Sequence, residues 1–427
     1  MDADAAARGP ASHLAVRVAA LGIAQIVSWG TLFYAIAVLG AAMRAALHVG
    51  DALLFGAYSA GLLVSGAASP AVGRWIDAGR ARLALGLGSS LGAVALTLLA
   101  MAQGPATLIA GFLVSGVAMA LTLYDPAFAT LHVMSGALYR RAVTALTLFG
   151  GFASTVFWPL ALVLEQAFGW RAALAVFAFL HLAVCLPLHV AAIPRGTPRD
   201  VDRAAAPPPA PEAADAAARA TFAWLAAALA AAAFIAAALS AHVIGLLTAA
   251  GLTAGEAVLA GSLIGPMQVA GRIVEFTAGR RLRAQTVGIL AFALMASALL
   301  LLALAHGLSA AAFAFAAVYG VSNGVMTIVR GTVPAELFGR RGFGALLGRL
   351  ALPQLVARAV APVTLALCFP FDPERTITPW LLVALGVLAV VAYRLALQRH
   401  RARTPRGGEE GASRGVRDAP EEGEVSR

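Results

Sequence analysis

Long apolar runs dominate the chain. They recur from about residue 16 to about residue 398, separated by short polar connections. Each reaches roughly 18 residues or more, enough to cross a bilayer as a helix. Helices are required, because backbone polar groups in lipid must find partners within the segment. The pattern predicts twelve spans. In the first half they are about 16–40, 51–73, 83–102, 106–134, 142–165 and 171–192. In the second they are about 221–249, 255–278, 286–305, 308–330, 343–369 and 376–398. The prediction is an all-α integral membrane protein.

Composition agrees. The 427 residues are 60% hydrophobic and 12% charged, against about 25% charged in soluble domains. A net charge of +10 would point to nucleic acid in a soluble chain. Here the positive charge lies in short loops and tails, so no nucleic-acid partner is expected. All 31 basic residues are arginine. A Walker A phosphate loop needs lysine after its glycines, so ATP-driven transport by this chain alone is not expected, nor is any cofactor. Cys185 and Cys368 both fall in apolar segments, far apart; they read as small packing residues rather than a disulfide or metal site. The apolar stretch after the polar first 14 residues shows no small-residue cleavage site. It reads as a first span, not a signal peptide.

The arginines set orientation. The amino-terminal tail, the even-numbered connections and the carboxyl tail hold nearly all of them. Arg330 is counted there, at the end of the tenth span. The odd connections hold only Arg44, Arg171 and Arg375. By the positive-inside rule both termini are cytoplasmic, in a multi-pass protein of the plasma (inner) membrane. Arg272, Arg349 and Arg358 fall within spans.

Residues 194–220 are rich in proline, alanine and charge and read as a cytosolic linker. It divides a six-helix bundle over 16–193 from a second over 221–398. A tail of residues 1–15 precedes them, and residues 399–427 read as disordered. The halves look repeated: Gly79-Arg80 matches Gly279-Arg280 and Arg140-Arg141 matches Arg340-Arg341, each at an offset of 200 residues. Two pseudo-symmetric bundles with a midplane site between them are the architecture of many secondary transporters.

The loop after the second span reads "GRWIDAGRAR", from Gly73 to Arg82, and "FGWR" lies between the fifth and sixth spans. The chain thereby resembles the major facilitator superfamily, whose loop signature is matched at Gly73, Asp77, Gly79, Arg80 and Arg82. The resemblance implies a gating role for these five residues, with Gly73 and Gly79 allowing close approach and a tight turn. The fourth span and its exit carry Tyr124, Pro126, the paired Arg140 and Arg141, then Gly150 and Gly151. This is similar to the monocarboxylate porter and oxalate–formate antiporter branch. Anion-carrying members of that branch place a buried arginine on the eighth helix, and some add a second cation on the eleventh. Arg272 and Arg358 sit at matching places. Gln268 stands where animal monocarboxylate porters often carry an acidic residue. Phe112 stands nearest to the fourth-span arginine of drug–proton antiporters.

An arginine near the centre of a span costs about 2.5–3.5 kcal/mol on the insertion scale. Arg272 and Arg358 therefore call for a partner or an aqueous cavity. A guanidinium binds carboxylate bidentately, so an anion site is one explanation. For Arg272 the other is a local pair with Glu275 one turn away. Arg358 has only Gln354 at i−4, which cannot neutralise it. Arg349, nine residues earlier, faces the opposite side and reads as a snorkelling or inter-helix charge. Asp125 is a proton-coupling carboxylate if desolvated, or else a partner of an arginine such as Arg140. Tyr34 and Tyr124 are either donors to an anion or packing residues, and Asn323 either lines a cavity or bridges two helices. The leading expectation is a monomeric secondary transporter of a small organic anion, coupled to protons or counter-substrate. Proton-driven efflux of a drug or metalloid is the alternative. No HExxH and no acidic pair on a helix suggest an enzyme.

Overall fold

The computed structural model describes residues 10–194, 216–277, 282–338 and 343–403. The expected first nine residues, most of the linker, the tail beyond Arg403, the pairs Gly279-Arg280 and Arg340-Arg341, and the side chain of Arg140 lie outside them. Among the described residues there is no strand. The helices are α1 (Pro10–Ser28), α2 (Ile36–Leu47), α3 (Asp51–Trp75), α4 (Ala81–Ala100), α5 (Pro105–Thr122), α6 (Tyr124–Ser135), α7 (Tyr139–Gly151), α8 (Ala153–Leu180) and α9 (Leu186–Ala192). After the linker come α10 (Ala216–Ala249), α11 (Ala254–Thr277), α12 (Ala284–Ala303), α13 (Ser309–Phe338), α14 (Phe343–Cys368) and α15 (Ile377–Arg403).

Ten continuous runs are long and apolar enough to cross a membrane. Two of them, Asp51–Ala100 and Arg141–Ala192, are 50 and 52 residues long, twice what one crossing needs. Each is turned by a glycine with positive φ: Gly79 (φ 77°) and Gly169 (φ 79°). The ten runs thus make twelve crossings. Gly79 supplies the tight turn expected of the loop signature. Gly73 does not supply close approach, since a Cβ there would meet nothing within 4 Å. Asp77 and Arg80 are exposed.

Within each half, glycines let helix backbones touch. A Cβ on Gly61 or Gly116 would strike the carbonyl of Phe112 or Gly61, locking α3 to α5. In the second half Gly271, Gly320 and Gly324 do the same between α11 and α13. Small residues four apart allow such approach, which substitutes for the absent hydrophobic driving force in lipid. Across the halves, α3 packs on α14, α8 on α11, and α2 on α10. The Phe55 ring lies 4.0 Å from His242, and the Val363 amide donates to Ser59 Oγ at 3.3 Å. These contacts lie toward the end carrying the odd connections.

Several spans are irregular where the sequence predicted regular helices. The first span contains a wide turn over Trp29–Tyr34. The fourth breaks at Leu123, between α5 and α6. The tenth runs eight residues past Arg330, to Phe338.

Candidate functional site

Prolines leave backbone carbonyls free in two of the spans. Proline cannot donate to the carbonyl four residues before it. Pro126 therefore frees the Thr122 carbonyl, and Gln25 of α1 takes it at 2.6 Å, while Trp29 donates to the same Gln25 side chain at 3.1 Å. Pro266 frees the Ser262 carbonyl, and the Thr155 hydroxyl of the other half takes it at 2.9 Å. In the wide turn, the Phe33 carbonyl accepts from Tyr58 at 3.0 Å and the Tyr34 carbonyl from Trp158 at 2.9 Å. Short wide turns of this kind recur at functional sites. Here the turn places Tyr34 at the centre of the molecule.

A small cavity of about 20 Å³ lies there, between the halves. Tyr34, Ser154 and Trp158 line it from the first half; Gln268, Tyr319 and Asn323 line it from the second. Tyr34 meets the Trp158 ring edge-on at 5.6 Å and lies within electrostatic range of both Arg272 and Arg358. The structure thus brings Tyr34, Gln268, Asn323, Arg272 and Arg358 to one region.

Arg272 does not pair with Glu275. Its Nη1 donates to the Thr147 carbonyl at 2.7 Å, and its Nη2 reaches Thr327 Oγ1 at 3.4 Å. It therefore ties α7 to α13 across the two halves. Tyr124 joins the same carbonyl at 3.5 Å and stacks on Phe128 at 5.2 Å. Arg358 is half-buried, with no hydrogen bond or ion pair among the described residues. Gln354 turns its amide back to the Leu350 carbonyl at 2.8 Å, away from a role as its partner. Arg349 is exposed, its guanidinium 4.8 Å from the Phe222 ring, the inter-helix contact expected of it.

Two expectations are corrected. Asp125 is exposed, because the break at Leu123 starts a new helix whose Tyr124 face turns inward. The desolvation that a proton-coupling role required is absent. Arg330 is not a connection residue. It lies inside α13 on one face with Tyr319, Asn323 and Thr327, which fall within an arc of about 80°. It is half-buried, its Nε is fully buried without a hydrogen-bond partner, and it lies within electrostatic range of Arg358. The sequence signal for it was present in that i, i+4, i+8, i+11 polar stripe.

No protein-family model matches the chain, and no curated protein matches it. Solved structures do. A bacterial homologue of the human lysosomal transporter Spinster, inward-facing and unoccupied, is 14% identical with a TM-score of 0.67, covering 92% of this chain and 97% of that one. The nucleoside transporter NupG is 13% identical with a TM-score of 0.67, covering 90% and 99%. The chain therefore shares its fold with these two proteins over nearly its whole length. It is a multi-pass helical membrane protein.

Proposed function

We propose that this chain is a secondary transporter, not an enzyme, and that it carries a small organic anion by alternating access. The observation that carries the reading is Arg358, half-buried, within electrostatic range of the cavity residue Tyr34 and with no counter-charge among the described residues. With Arg272 it gives the cavity a positive field, and charges in a water-poor site act strongly. Tyr34, Gln268 and Asn323 supply hydroxyl and amide donors beside them, and Trp158 with Tyr319 supplies apolar walls. A carboxylate between two guanidiniums would be held by charge-assisted, bidentate hydrogen bonds. Carriers of this design bind between halves and expose the site to each side in turn. Exchange between states would break the Arg272–Thr147 bridge at one end and the Ser59–Val363 contact at the other. The termini are assigned to the cytoplasm by the arginine distribution, and the protein to the plasma (inner) membrane as a monomer. Energy comes from counter-substrate or from protons carried with the substrate.

The test is exchange in proteoliposomes loaded with unlabelled acetate, lactate, oxalate or succinate and presented with the labelled form. One of these should be taken up against its own gradient by the wild type and not by Arg358→Ala at equal incorporation. Equal uptake by the wild type and by both Arg272→Ala and Arg358→Ala would refute the anion site. Arsenite or cationic-drug movement that ignores both arginines would install the efflux reading instead.

A further inference from the structure

We propose that Arg330 is a third anion-binding residue, and that it selects substrates carrying two negative charges. The proposal rests on the anion-site reading above and extends it to a residue outside the family pattern.

Three observations carry it. First, Arg330 shares the face of α13 that holds Tyr319 and Asn323, both of which line the cavity, and Thr327, which receives Arg272. A side chain on that face points toward the same space as Arg272 and Arg358. Second, Arg330 is not snorkelling. The end of α13 lies eight residues on, about 12 Å, yet the Nε atom is fully buried and makes no hydrogen bond to the protein. The Nε of Arg272 is in the same condition. Buried guanidinium N–H groups are ordinarily satisfied. Third, Arg358 lies within electrostatic range of Arg330, and the two cations repel each other. Among the described residues no carboxylate pairs with Arg272, Arg330 or Arg358.

Like charges close together in a low-dielectric interior are costly, and neither arginine has a carboxylate to relieve it. A monoanion on Arg358 would leave Arg330 uncompensated. A ligand with two anionic charges would neutralise both, and its second group would meet the unused Arg330 donors. A dicarboxylate and a phosphate monoester both satisfy this chemistry. Arg330 then acts on selectivity, while Arg358 is required for any anion.

The experiment is a thermal-shift titration of the purified full chain in detergent. The probes are acetate and lactate as monoanions, succinate as a dicarboxylate, and glycerol 3-phosphate as a phosphate monoester. The proteins are wild type, Arg330→Gln and Arg358→Gln. The wild type should respond to one dianion at concentrations at least roughly tenfold below any monoanion, a factor worth about 1.4 kcal/mol. Arg330→Gln should erase that preference and keep the monoanion response. Arg358→Gln should lose both. Which dianion responds separates carboxylate from phosphate. A dianion preference unchanged in Arg330→Gln overturns the proposal while leaving the anion site standing. An absence of response to every probe in the wild type overturns both. Should Arg330→Gln not fold, an arginine-specific dicarbonyl reagent on the wild type, read by peptide mass spectrometry, decides the matter. Modification of Arg330 should slow roughly tenfold under saturating dianion and not under monoanion. Equal rates, or a residue the reagent never reaches, overturn the proposal.

Discussion

Replacing Arg358 with methionine should stabilise the protein and destroy its function together. Methionine keeps an unbranched apolar stem of similar length while removing the charge, so packing along α14 is largely preserved. A centre-placed arginine costs about 2.5–3.5 kcal/mol. Arg358 is half-buried rather than fully so, which reduces the penalty to about half, or roughly 1–2 kcal/mol. No hydrogen bond or ion pair among the described residues is lost in exchange. For a chain of this size that gain corresponds to a rise in the thermal midpoint of roughly 1–2 °C. The assay is unfolding in detergent, wild type and variant at one scan rate, because unfolding of such proteins is governed by rate as well as equilibrium. The same samples are then titrated with the carboxylate that stabilises the wild type, and the variant should show no response. A fall in the midpoint of about 2 °C or more would mean that Arg358 holds a structural contact, and the reasoning from an unpaired cation would be wrong. A preserved ligand response would remove Arg358 from the site.

Three further outcomes follow from particular contacts. Thr155→Val should lower stability by about 1–3 kcal/mol, because it strips the Ser262 carbonyl of the hydroxyl that replaces the bond missing at Pro266; a change under about 0.5 kcal/mol in the same melt would mean that solvent serves that carbonyl equally well. Gly324→Val drives a side chain into the Gln268 backbone and should cost about 1–3 kcal/mol by overpacking, with Gly331→Val, which meets nothing within 4 Å, as the control that stays close to wild type. Asp372, in the last connection, is buried, which raises its pKa. Bonds from the Thr378 hydroxyl and the amides of Thr378, Ile377 and Thr376 more than offset this and hold it below its ordinary value of 3.8. Its stabilisation is therefore complete above about pH 4 and is lost as the pH falls through the folded-state value, and Asp372→Asn should flatten that acid limb in a melt-versus-pH series, whereas an unchanged limb would place the acid sensitivity elsewhere.

The sequence by itself determined the class of molecule and most of its plan. Apolar runs of spanning length leave helices as the only way to satisfy the backbone, and the signals of Gly79 and of "FGWR" fell where the chain turns. It also located two of the cations within spans, Arg272 and Arg358, because an arginine in the middle of a long apolar run is costly at any rotation of the helix. Tertiary structure decided the rest. Whether Arg330 ends a helix or lies inside one depends on how far α13 continues beyond the apolar stretch, and packing against α11 and α12 decides that. Glu275 stands three residues from Arg272, a spacing that permits an ion pair, yet the Thr147 carbonyl from the other half is the partner the packing delivers. Asp125 and Tyr124 are neighbours in sequence, but the break at Leu123 turns one outward and the other toward the centre. Spacing along a helix fixes which groups can meet within that helix. Which group from another helix arrives first is set by the assembly of the two halves, and no local pattern contains it.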